Sequence, residues 1–136
     1  MTNQMDPLTA LLATEKPNIE REVPIKRLNT TFTVRNVDSD ELEKIAEQST
    51  YYVGKGKDRR KERDPIKETY LTIAAGTVKP DFNDKKLKEH YGVDEAWLVA
   101  KASLLPGEVT LLETEIAIAS GFGDDSEEDP VEKVKN

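Results

Sequence analysis

The chain has no cysteine and a single histidine, His90. The first absence excludes disulfides, thiolate catalysis and zinc ribbons, and fits a reducing compartment. The second excludes a multi-histidine metal site. Aromatic residues make up only 6% of the chain, and hydrophobic residues 36%. No apolar run approaches the roughly 20 residues that span a bilayer. The start, MTNQMDPLTALLATEK, lacks the basic opening and apolar stretch of a signal peptide.

Charge, by contrast, is abundant. Charged residues are 35% of the 136, with 27 acids against 20 bases and a net charge of −7. That sign repels nucleic acid and disfavours it as a general partner. The length suits one domain with a modest, heavily solvated core.

The ends read differently from the middle. Residues 1–16 form a flexible N-terminal segment. Asp6 caps a short helix with Pro7 in its first position, and Leu8, Leu11 and Leu12 share one side. Two turns do not hold alone in water, so this strip docks, binds or frays. Residues 17–123 form the globular domain. Residues 124–136 carry six acids and two lysines, a net of −4, and read as a disordered acidic tail.

Within the domain, residues 20–37 alternate as a β-hairpin: Val23 and Ile25, then Phe32 and Val34. Pro24 puts the first strand at an edge, and Asn29 and Thr30 supply the turn. A helix over 39–49 follows, with Asp38 and Glu41 at capping-box spacing and Leu42, Ile45 and Ala46 as its stripe. Residues 54–63 read as an exposed, mobile basic loop. Asp64-Pro65 opens a helix whose stripe is Ile66, Tyr70, Ile73, Ala74 and Thr77. A short helix over 84–91 is capped by Asn83 and stopped by Gly92. The next, over 94–105, carries Trp97, Leu98, Ala102 and Leu105. Pro106-Gly107 starts the last, with Val109, Leu112, Ile116 and Ala119 and a stop at Gly121. The expected fold is therefore α+β and mostly helical: a hairpin, then four to five short helices, with Trp97, Leu98, Ile73, Leu112 and Ile116 in the core.

No catalytic, cofactor or metal site stands out. His90 sits among charged neighbours near a helix end, where it suits the dipole. Gly54-Lys55-Gly56-Lys57 lacks phosphate-loop spacing, and the acidic tail lacks the spacing of a calcium loop. The one strong charge feature runs from Lys55 to Lys67: Lys55, Lys57, Arg59, Arg60, Lys61, Arg63 and Lys67 against three acids, a net of +4 beside Tyr51 and Tyr52. Such a stretch is a solvated loop, a contact for an acidic protein surface or for the chain's own tail, or a stacking site for single-stranded nucleic acid. The candidate partner-binding residues are thus Leu8, Leu11 and Leu12, with Lys55, Lys57, Arg59, Arg60, Lys61 and Arg63.

The order of local motifs resembles the XkdN-like phage tail assembly chaperones of Gram-positive phages and phage-like elements. It lies in Leu8 to Leu12, Val23-Pro24-Ile25-Lys26-Arg27-Leu28, Phe32-Thr33-Val34-Arg35 and Asp40-Glu41-Leu42-Glu43-Lys44-Ile45. It continues in Val78-Lys79-Pro80-Asp81-Phe82-Asn83-Asp84-Lys85-Lys86-Leu87, Tyr91-Gly92-Val93, Leu104-Leu105-Pro106-Gly107-Glu108-Val109 and Ser120-Gly121-Phe122-Gly123. The resemblance implies a non-enzymatic protein of the host cytoplasm that coats the tape measure protein, helps tail tube subunits gather, and is absent from the finished virion. It implies no cofactor and no membrane. It also implies a longer form made by programmed frameshift; Val134-Lys135-Asn136 permits the slippery codon run A AAA AAY. Two alternatives stay open: a small regulatory protein binding nucleic acid through the basic loop, and a minor structural tail component.

Overall fold

The computed structural model describes residues 4–123; the expected acidic tail, 124–136, lies outside the described residues. Helix α1 covers Pro7–Leu12. Strands β1 (Glu20–Ile25) and β2 (Thr30–Arg35) pair antiparallel, with Val23 opposite Phe32. Val23 and Ile25 are buried while Glu22 and Pro24 face out, so the alternation in the sequence sets the face. Between the strands, Lys26–Leu28 make one 3-10 turn and Asn29 takes the left-handed conformation, with φ of 52°.

Helix α2 spans Ser39–Gln48. Its capping box forms as expected: the Asp38 carboxylate accepts from Glu41 N at 2.9 Å, and Glu41 Oε1 accepts from Asp38 N at 3.1 Å. Ile45 is buried and Ala46 half-buried, but Leu42 stays exposed.

Of residues 54–63, expected as one loop, 54–59 form a turn and 60–63 a strand. Strands β3 (Thr50–Val53) and β4 (Arg60–Arg63) form a separate two-stranded antiparallel sheet, joined through a 3-10 turn at Gly56–Asp58. Thr50, Tyr51, Tyr52 and Val53 are good strand formers. Their partner strand has no apolar residue and is held by pairing with them and by Arg63, which donates to Glu68 of α3. Gly54 has φ of +84°, and a Cβ there would stand 2.4 Å from Asp58 O, so the turn needs glycine. The Asp64 N–H donates to Ser49 O at 2.9 Å and closes the base of the hairpin.

Helix α3 (Pro65–Gly76) is capped by Asp64 Oδ1, which accepts from Ile66 N and Lys67 N at 3.1 Å each. Ile73 is fully buried, with Tyr70 and Ala74 half-buried. Ile66, expected inside, lies in the first turn of α3 and is 64% exposed. Thr77 leaves the helix and begins β5 (Thr77–Lys79), which pairs with β2 and completes a sheet of order β1-β2-β5. That third strand is too short to carry a pattern. Pro24 does sit on an edge strand.

Helix α4 (Lys85–Tyr91) is capped by Asp84, not by Asn83: Asp84 Oδ1 accepts from Lys86 N at 2.8 Å. Gly92, at φ of 68°, ends it. Helix α5 is shorter than expected, Ala96–Ser103, and turned differently. Val99 and Ala100 are its buried residues, with Leu104 just beyond, whereas Trp97 and Leu98 are half-buried and Ala102 and Leu105 exposed. The Trp97 indole N–H donates to Glu95 Oε1 at 3.0 Å, which keeps one edge at the surface. Helix α6 (Pro106–Ala119) buries Val109, Leu112, Ile116 and Ala119 as read from the sequence. It packs against β1, β2 and α3 around a core that Phe32 and Phe82 close with edge-on rings 6.3 Å apart.

Candidate functional site

Helix α1 forms where its residues place it. Asp6 Oδ2 accepts from Thr9 N at 3.2 Å, and Pro7 occupies the first turn. Its apolar side meets solvent: Leu8, Leu11 and Leu12 are 65%, 74% and 77% exposed. Met5 beside them is exposed too. The segment behind the helix is tied to the body at two points. Lys16 Nζ pairs with Asp38 Oδ2 at 2.6 Å. Asn36 accepts from Ile19 N at 2.8 Å and donates to Pro17 O at 3.2 Å. The Lys16 ammonium, followed by the Glu41 N–H, holds the Asp38 carboxyl below its usual range, and Asp38 raises Lys16 in turn. The strip thus stands on an anchored stalk.

The β3–β4 hairpin gathers the basic candidates. Register puts Tyr52 opposite Lys61 and Tyr51 opposite Glu62. Alternation therefore sets Tyr52, Lys61 and Arg63 on one face and Tyr51, Val53, Arg60 and Glu62 on the other. Arg59 stacks over Tyr52, its guanidinium carbon 3.9 Å from the ring centroid. Arg60 pairs with Glu62 at 2.8 Å, and Arg63 donates to Glu68 of α3. Among the described residues, Lys55, Lys57 and Lys61 form no ion pair, and all three are exposed. Of the six basic candidates, two are spent on acids of the protein itself, one on a ring, and three remain open.

A third surface escaped the sequence reading. Ile19, Leu42 and Phe122, all exposed, line a groove of about 300 Å³ with Pro17, Val37 and Ala119. Its floor forms because Ser120 Oγ accepts from Val37 N at 2.8 Å and docks the end of α6 beside β2. The signal was an aromatic residue between two glycines just past a helix, which reads first as a stop.

His90 packs edge-on against Tyr91, ring centroids 4.7 Å apart, on the exposed side of α4. No group of three or more His, Cys, Asp or Glu among the described residues is placed to hold a metal.

The profile of the phage XkdN-like tail assembly chaperones matches residues 8–135. The chain belongs to that family. It is also similar in fold to the crystal structure of the protein yqbn, with a TM-score of 0.68 at 22% identity, covering 89% of this chain and 100% of that one. No curated protein sequence matches the chain. The family of tail assembly chaperones directs attention to partners from the phage tail, and hence to the exposed apolar and cationic surfaces.

Proposed function

We propose that this chaperone binds the tape measure protein, keeps it soluble in the host cytoplasm, and helps tail tube subunits assemble around it. The observation that carries this reading is the exposed strip of Leu8, Leu11 and Leu12 on a helix that is capped, anchored at its stalk and unburied. A tape measure is a long helical chain with apolar stripes; a short amphipathic helix meets such a stripe side by side. The net charge of −7 keeps the complex in solution. The role is non-enzymatic, and the protein leaves before the virion is complete. A longer frameshifted product, extended past Asn136, recruits the tube subunits.

Co-expression with the neighbouring tape measure gene tests the reading. The tape measure protein is expected in the soluble fraction with the chaperone and in the pellet without it. Equal solubility in both cultures overturns the proposal. Blotting purified particles for the chain separates a departing chaperone from a tail component. A single product on a blot of induced cells, with codons that break A AAA AAY, removes the frameshift.

A further inference from the structure

A socket of about 200 Å³ opens beside Phe32 and Phe82. Its walls are buried and apolar: the two rings, with Val99 and Leu104. Leu87 and Tyr91, one turn apart on α4, form one side. The exposed residues of its lining are Arg27 and Leu28, so the mouth lies at the turn between β1 and β2. Arg27 straps that turn across the junction of α5 and α6. Its Nε and Nη2 donate to Glu108 at 2.8 and 2.7 Å, and Nη2 also donates to Ser103 O at 3.0 Å. The strap holds the mouth in shape and leaves Nη1 with no hydrogen bond to the described residues. Water finds few partners on apolar walls, whereas an apolar cavity of about 150 Å³ is enough to bind benzene. Small-molecule sites usually measure about 300–1,000 Å³, so the socket suits one phenyl- or isobutyl-sized side chain rather than a whole ligand.

The charge around the mouth runs against the net −7 of the chain. Among the residues next in sequence to the lining, Lys26, Lys79, Lys86 and Lys88 are basic and Asp81 alone is acidic. Lys26, Lys79 and Lys86 are exposed and form no ion pair with the described residues. Neighbouring Cα atoms are about 3.8 Å apart, well inside the Debye length of about 8 Å at physiological salt, so these charges are felt at the mouth. Other lysines of the surface are open too; the apolar socket beside these selects a ligand that has both an apolar group and an anion. We propose that the socket docks an acidic segment of a partner protein, which seats one apolar side chain against Phe32, Phe82 and Leu87 and its carboxylates against Arg27 Nη1 and the lysines around the mouth. The site stands apart from the tape measure proposal, because no residue of α1 lines it.

Short peptides test this on the full chain, with methyl signals recorded by NMR. Acetylated Asp-Phe-Asp amide is expected to shift the methyls of Leu87, Val99 and Leu104 until they saturate. Asp-Ala-Asp, which lacks the anchor, leaves them in place. Lys-Phe-Lys binds about tenfold more weakly at low salt, as opposed charges at an exposed mouth require. At about 1 M salt, where the Debye length is near 3 Å, the two phenylalanine peptides converge. Leu87→Phe fills the socket and abolishes the shifts. Lys26→Glu/Lys79→Glu alters exposed side chains alone, so its core signals hold while the Asp-Phe-Asp affinity falls; this variant serves where Leu87→Phe disturbs the fold. Socket methyls that do not move with Asp-Phe-Asp overturn the proposal, and so does equal binding of Lys-Phe-Lys at low salt. An affinity that survives Lys26→Glu/Lys79→Glu overturns it as well. Because the chain is tested with peptides alone, none of these results bears on tape measure binding.

Discussion

Gly76 abuts Ile116 so closely that a Cβ on it would lie 2.7 Å from Cδ1 and 2.9 Å from Cγ1 and Cγ2 of the isoleucine. The contact lets the end of α3 press onto α6 just where the chain turns into β5. Ile116 is itself fully buried and has nowhere to swing. Alanine in a helix normally gains about 0.5–1 kcal/mol over glycine. Here the forced overlap reverses the sign, and Gly76→Ala is expected to cost about 1–3 kcal/mol. Urea unfolding measures it; an unchanged or raised midpoint refutes the steric reading.

Leu112 and Trp97 should separate in the same assay. Leu112 is fully enclosed between α6, α3 and the sheet, so Leu112→Ala is expected to cost about 2–5 kcal/mol. Trp97 is half-buried, its indole N–H held by Glu95 and its face 5.1 Å from Lys67 Nζ. Trp97→Ala should cost about 1–2 kcal/mol, below the usual range for a core aromatic. Its fluorescence is expected between the buried and exposed limits. A larger loss for Trp97 than for Leu112 contradicts the observed phase of α5.

That phase marks where the sequence could and could not be read. On α6 the apolar residues at i, i+3, i+7 and i+10 share one side, and although Leu111, Ala117 and Ile118 are apolar too, Thr110, Glu113, Thr114 and Glu115 interrupt the run. On α5 the run Ala96-Trp97-Leu98-Val99-Ala100 is apolar all round. Periodicity then has no contrast to offer, and the neighbours decide: Val99 turns to the core and the indole goes to the rim. The β3–β4 hairpin was hidden for a different reason. Arg60-Lys61-Glu62-Arg63 has no hydrophobic residue, so its strand character comes from backbone pairing with Thr50–Val53. The exposure of the site residues was legible from composition; the order of the hairpin and the groove at Phe122 depended on tertiary packing.

Glu41 and Glu108, like Asp38, contribute stability that depends on acid pH. Glu108 receives Arg27 through two hydrogen bonds of 2.8 and 2.7 Å and also accepts from Leu105 N, linking the first hairpin to the start of α6. Glu41 receives Arg35 at 3.0 Å. The arginines hold both carboxyls below the ordinary value of 4.5. A depressed folded-state pKa contributes stability that is complete above the unfolded value and is lost as pH falls through the folded one. The loss therefore begins below pH 4.5. A Glu41→Gln/Glu108→Gln variant should unfold at lower urea than the parent at neutral pH, and the gap should narrow as the pH is taken below that value. A gap of constant size across the acid range shows that the pairs do not drive it.

The leucine strip gives the sharpest division between fold and partner. A serine at positions 8, 11 and 12 removes apolar surface that the folded chain leaves in water, so nothing in the core is lost. Surface changes of this kind stay within about 0.5 kcal/mol. Leu8→Ser/Leu11→Ser/Leu12→Ser is expected to melt with the parent while failing to keep the tape measure protein in the soluble fraction. Each half of the result carries separate weight. A fall in melting temperature of several degrees means that the strip packs on the domain in solution. An unchanged melt with undiminished tape measure solubility moves the binding surface away from α1, toward the groove of Ile19, Leu42 and Phe122. Parent-like melting with loss of the soluble complex leaves α1 as an element kept exposed for a partner, held in place by Asp6, Pro7 and the Lys16–Asp38 pair rather than by burial.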